Sequence, residues 1–289
     1  MSKQKVSLLS CFACAILPSL WAEDGTTLIG NVGVLPYLIT QPGSYRLSAN
    51  MTVANSTAIQ VTASNVTLDL NGFTISCSAC SGSTIGIVVN GTGVTVRNGR
   101  VTGFTGPEGA GIIFRGGATT ASDIQGALDH MIVTKNTSGV LVPSWSASLH
   151  STVEVLDSTI SDNTHYGIVS ADLIMVMRSL ISNNRCGIGM YAGMVVGSIF
   201  VGNGMQPPED GIYLTGVDAY GNTYLRDNQF SGNATAVYAS ANGLATYPHH
   251  PMIVGLTANT FTNNLQDLVQ GAYPPISGGN NVSSKGKVF

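Results

Sequence analysis

From Thr57 onward the chain carries one repeating alternation of apolar and polar positions. A small residue and an aliphatic open each copy: Ala58-Ile59, Gly86-Ile87, Gly111-Ile112, Gly139-Val140, Gly167-Ile168, Gly187-Ile188, Gly211-Ile212 and Ala236-Val237. A variable stretch follows, then a second apolar strand ending on Leu70, Val96, Leu128, Val155, Val176, Val195, Leu225 and Leu256. Five positions on, a third large apolar residue recurs as Ile75, Val101, Val133, Ile160, Ile181, Phe200, Phe230 and Phe261. Three further, the last six copies place Asn136, Asn163, Asn184, Asn203, Asn233 and Asn264. Openings recur every 20 to 28 residues, the signature of stacked repeats. No copy holds a helical period, and Gly, Asn and β-branched residues fill each unit, so helical repeats are excluded. The pattern predicts an all-β right-handed parallel β-helix of about eight coils, the hand following from the rule for parallel crossovers. Stacked coils lie about 4.8 Å apart, so equivalent residues form columns. An Asn column passes side-chain amide bonds up the stack and tolerates the left-handed backbone of tight turns.

Around this body, residues 23–56 read as an N-terminal cap over the open edge, 57–270 as the solenoid, and 271–289 as a C-terminal tail or cap. Residues 1–22 read as a signal peptide: Lys3 and Lys5, an apolar core from Val6 to Leu17, and a cleavage site at Leu20-Trp21-Ala22. The expected location is secreted or periplasmic. Leu8-Leu9-Ser10-Cys11 resembles a lipoprotein box, but its apolar run is too short, so lipidation is not expected. No later segment is long and apolar enough to span a bilayer. Charged residues make up only 9% against 44% hydrophobic, which implies a compact fold, and a net charge of −3 gives no footprint for nucleic acid. Cys77 and Cys80 form a lone C-x-x-C, read in an exported chain as a local disulfide.

The runs Gln41 to Leu47, Asn65 to Ile75 and Val94 to Arg100 resemble the first coils of bacterial secreted right-handed β-helix proteins. That broad superfamily includes pectin- and alginate-acting lyases, epimerases and hydrolases. The resemblance implies the fold and leaves function open, because the superfamily also has non-catalytic members.

The columns turn distant residues into neighbours. Two positions past the second strand, Asn98, His130, Asp157 and Arg178 fall on successive coils, with Arg97 and Asp129 beside them. A His beside a carboxylate suits acid–base work, and an Arg suits a uronate carboxylate or its developing enolate. His130, Asp157, Asp129 and Arg178 are therefore the candidate catalytic residues for lyase or epimerase chemistry. The Asp129–Asp157 spacing would also fit a retaining hydrolase. The plainer reading is that such residues satisfy turns and pair across coils.

On the outer face of the first strand, Tyr213 and Tyr238 fall on adjacent coils, with Tyr191 near. They would form an aromatic trough walled by loops Pro143–Ser151, Thr215–Asn222 and Ala239–Pro251, which bring His150, His249, His250 and Asp218. Tyr213, Tyr238, Tyr191 and Arg97 are the candidate substrate-binding residues; plain stacking for stability is the alternative. No metal site is assigned, since His249-His250 lacks a third ligand at fixed spacing, and calcium is the one ion left open. Leu156, Met175, Met177, Met194 and Val196 form an outward apolar strip, fit for an oligomer contact or a covering segment.

Hallmark motifs are missing: the Asp-Asp and Gly-His-Gly pairs of polygalacturonase-type hydrolases, and the clustered aspartates and Arg-x-x-Pro-x-x-Arg of pectate lyases. A regular Thr-x-Thr array and glycine-rich calcium repeats are missing too. Two readings follow: an exported binder or processor of polysaccharide, and a non-catalytic surface or adhesion solenoid. The first predicts a trough with convergent polar groups; the second predicts side chains paired off within the columns.

Overall fold

The computed structural model describes residues 25–30, 33–115, 125–143, 152–205, 214–239, 253–270 and 275–285. Residues 1–22, expected to form a signal peptide, lie outside them, as do Tyr213, His150, His249 and His250. The described residues contain no helix and 27 strands, all paired in parallel. Three strands per coil stack into three long sheets, giving a right-handed parallel β-helix.

The aliphatic openings stack in one column. Ile59, Ile87, Ile112, Val140, Ile168 and Ile188 are register partners in turn, followed by Val217, Val237 and Leu268. Val217 takes the place expected for Ile212, which corrects one opening. The extra residues of that coil enter before the first strand, between Asn203 and Thr215, so Thr215–Ala219 is a strand and not a wall loop. The small residue of each opening has a steric cause. A Cβ on Gly139 or Gly167 would meet the next coil's carbonyl at 2.4 or 2.6 Å and a ladder amide at 3.0 or 2.8 Å. Gly216, not Gly211, occupies this column above Gly187.

In the second sheet, Val96, Leu128, Val155, Val176, Val195, Leu225 and Leu256 stack as expected. Below Val96 stands Leu68 rather than Leu70, because the corner of that coil carries two extra residues. The third column runs unbroken from Ile75 to Phe261. Phe200, Phe230 and Phe261 stack with centroids 4.7 and 5.2 Å apart. All three columns are buried and form the core, with the terminal Leu268 only partly covered.

Residues assigned to the two caps pair in the same register. Tyr37–Ile39, Gly43–Leu47 and Met51–Val53 make a coil beneath Ile59–Val61 and its neighbours. Ile276–Ser277 and Val282–Ser283 continue the second and third sheets at the other end. Cys77 and Cys80 are joined by a disulfide, and Cys186 is a free, buried thiol.

Two corners bend each coil, and both use left-handed backbone. The first holds Asn98, His130, Asp157, Arg178, Gly197, Asp227 and Ala258, all at φ between 48° and 60°. The second holds Lys135, Asp162, Asn183, Gly202, Gly232 and Asn263. A buried ladder follows each corner. After the second, the Nδ2 of Asn163 donates to Asn184 Oδ1 at 2.9 Å, that of Asn184 to Asn203 at 3.2 Å, and that of Asn203 to Asn233 at 3.0 Å. After the first corner, Ser158, Ser179, Ser198, Asn228, Asn259 and Asn281 accept backbone N–H bonds in the same way. These bonds satisfy turn groups that the packed interior would otherwise strand.

Candidate functional site

The corner row brings the four candidate catalytic residues together. His130 Nδ1 lies 2.6 Å from Asp129 Oδ1, and ligand atoms of Asp129, His130 and Asp157 all fall within 4.8 Å of one another. Arg178 grips Asp157 with both arms, Nε to Oδ1 at 2.8 Å and Nη2 to Oδ2 at 2.6 Å. That bidentate bond holds the Asp157 carboxyl below its ordinary range and raises Arg178 in return. Arg97 Nη2 sits 3.2 Å from Asp69 rather than in a substrate trough. A metal at Asp129, His130 and Asp157 would have to displace the guanidinium.

The row is built by the corner itself. Left-handed backbone turns these side chains outward, and His130 and Arg178 stay 63% and 59% exposed, without walls to exclude water. Asn and Asp are tolerated in this conformation, whereas Arg is not favoured there. The cross-coil pairing with Asp157 is the compensating contact.

The register partner of Tyr238 is Asp218, and Tyr213 lies outside the described residues. Tyr238 lines a groove of about 590 Å³ with Leu214, Thr215, Ala234, Thr235, Leu265, Gln266 and Val269. These residues come from three adjacent coils of the first sheet's outer face. Tyr191 packs against Gly221 one coil earlier, outside the groove lining. Further down the same face, several coils away, Ile85, Val88, Ala110 and Ile113 form a separate buried apolar cluster.

Beside the groove lies a cluster that sequence reasoning misplaced. Asp218 is fully buried, and neither carboxylate oxygen has a hydrogen-bond partner among the described residues. Burial pushes its carboxyl up to about 7; the neighbouring Tyr220 hydroxyl favours the charged form but does not offset the desolvation. Burial likewise raises the Tyr220, Tyr166 and Cys186 groups. Gly189 leaves the space: a Cβ there would lie 2.8 Å from the Tyr220 hydroxyl and 3.0 Å from the Tyr166 ring. The readable signal was Thr215-Gly216-Val217, a second small-aliphatic opening that fits the repeat as well as Gly211-Ile212.

The outward strip of Leu156, Met175, Met177, Met194 and Val196 is half-buried and in register, bordered by Leu173 and Tyr224 at 42% and 38% exposure. Among the described residues, no helix is long and apolar enough to cross a membrane.

No protein-family model matches this chain, and no curated protein does. Among solved structures, the chain is similar to the A-module of mannuronan C-5 epimerase AlgE6 from Azotobacter vinelandii. The match has 12% identity and covers 90% of this chain and 89% of that one. The TM-score is 0.44, so the likeness concerns the course of the solenoid and carries no argument about the site.

Proposed function

We propose that this protein is an exported solenoid that binds polysaccharide through the outer face of its first sheet. The observation that carries the reading is the groove at Tyr238. It offers a phenol face and an apolar lining from Leu214, Leu265 and Val269, with the exposed Thr235–Gln266 pair at its rim and Thr215 buried against Cys186. Sugar rings present apolar faces and equatorial hydroxyls, the complement of that lining. The Cys77–Cys80 disulfide supports export, since such bonds persist in oxidising compartments.

The corner row serves the solenoid rather than chemistry. Asp129 already holds His130, Asp157 already holds Arg178, and Asp69 already holds Arg97. Exposed pairs of this kind are common without function.

The test is a panel of uronate and neutral polysaccharides offered to the purified chain. Retention on the polymer is measured together with unsaturated product and new reducing ends. Retention without product is the expected result. Product formation that disappears in His130→Ala and Asp157→Asn would restore the row as an active site.

A further inference from the structure

The outer face of the second sheet carries a separate trough of about 430 Å³, on the coils of Val94–Thr102, Gln125–Thr134 and Thr152–Leu156. Its floor is a single column of register partners, Thr95, Ala127 and Glu154. Ala127 supplies almost no side chain between the two larger neighbours, which makes the depression, while Gly126 faces the core against the Phe114 ring; Gln125 and Thr152 stand at its end. The Glu154 carboxylate, the Thr95 and Thr152 hydroxyls and the Gln125 amide make no side-chain hydrogen bond or ion pair among the described residues. This is the reverse of the corner row, where the charged groups are paired.

The charge around the trough is negative. Asp129 lies two positions beyond Ala127 on the same face, and Arg97, its register partner, is held by Asp69 at 3.2 Å. A uronate would bring a carboxylate beside Glu154 and Asp129, where the neighbouring Arg97 is already held by Asp69, an arrangement that costs affinity. A neutral sugar brings vicinal hydroxyls, which a carboxylate accepts in short charge-assisted bonds. Three coils span about 10 Å, enough for a short run of sugar units.

We propose that this trough binds a neutral glycan chain, with Glu154 as the principal acceptor. The proposal rests on the reading that the protein recognises polysaccharide, and it adds a site on a face separate from Tyr238.

Calorimetric titration of the full chain with short neutral oligosaccharides, with oligouronates and with calcium alone tests it. The wild type is compared with Glu154→Gln, Ala127→Leu, which fills the trough from outside the core, and Tyr238→Ala. Thermal melts establish that each variant is folded. Neutral-sugar affinity should fall about tenfold or more in Glu154→Gln and Ala127→Leu. It should persist at the trough in Tyr238→Ala, and oligouronates should bind Glu154→Gln no worse than wild type. Unchanged neutral-sugar affinity in both trough variants, while Tyr238→Ala loses binding, overturns the trough and leaves the groove standing. A calcium heat abolished by Glu154→Gln, without any sugar heat at the trough, marks a cation site and also overturns it. A wild type silent toward every saccharide removes the polysaccharide reading altogether.

Discussion

Asp218 stands on the outward face of a strand yet is sealed from solvent, and burial lifts its carboxyl to about 7 from an ordinary 3.8. The folded chain therefore holds that proton more tightly than the unfolded chain does. The stability tied to the proton is fully present below about pH 4. It is lost as pH rises toward about 7, after which the loss stays constant. Asp218→Asn keeps the shape and removes the titration. Urea unfolding at pH 5 and pH 8 should show the wild type losing more stability than the variant over that interval, with a ceiling of about 2.6 kcal/mol. Identical pH dependence in both would show that the carboxyl is solvated. The sequence contains Asp218 in plain view but does not place it. Gly211-Ile212 and Gly216-Val217 fit the opening equally well, and only stacking between Ile188 and Val237 chooses the second.

The corners and ladders set the stability of the solenoid element by element. Asn184 Oδ1 accepts from both the backbone and the side-chain N–H of Asn163, at 3.1 and 2.9 Å, while its Nδ2 bonds Ile160 O and Asn203 Oδ1. Asn184→Ala strands several buried groups at once, and chemical denaturation should record a loss of about 3 kcal/mol or more. Ser179 accepts one backbone bond, from Ser158, and donates to Met177 O, so Ser179→Ala should cost about 1 kcal/mol by the same measurement. Gly197 sits at φ 60° with its nearest atom, an Arg178 carbon, 3.9 Å from a built Cβ. Space is free there and the backbone is not, so Gly197→Ala should destabilise by about 1 kcal/mol. The asparagine column is visible in the sequence because one residue type fills it. The ladder after the first corner is hidden because Ser fills its first three places and Asn its last three, where the stack requires only an oxygen.

At the scale of the whole molecule, eight repeat copies in the sequence become eight coils, with one further coil at the N-terminal end and strands continuing the stack at the other. The fold was legible because every coil repeats the same burial demand. The outer faces obey no such demand, so they are less legible: the row richest in titratable groups is a set of corner residues paired with their neighbours. Glu154 and Thr95, without side-chain partners among the described residues, lie where no repeat points. The corner and the groove also lie on different parts of each coil, so a change at one should not be felt at the other.

The most direct measurement is therefore a pair of binding isotherms on the polysaccharide retained best by the wild type, one for Tyr238→Ala and one for Asp157→Asn. The sheet-face account predicts a fall of about tenfold or more in affinity for Tyr238→Ala, the size expected for losing an aromatic platform with its hydrogen-bonding rim. Asp157→Asn should match the wild type. The opposite result, intact binding without the Tyr238 ring and lost binding without the Asp157 carboxylate, would contradict the account and move recognition to the corner.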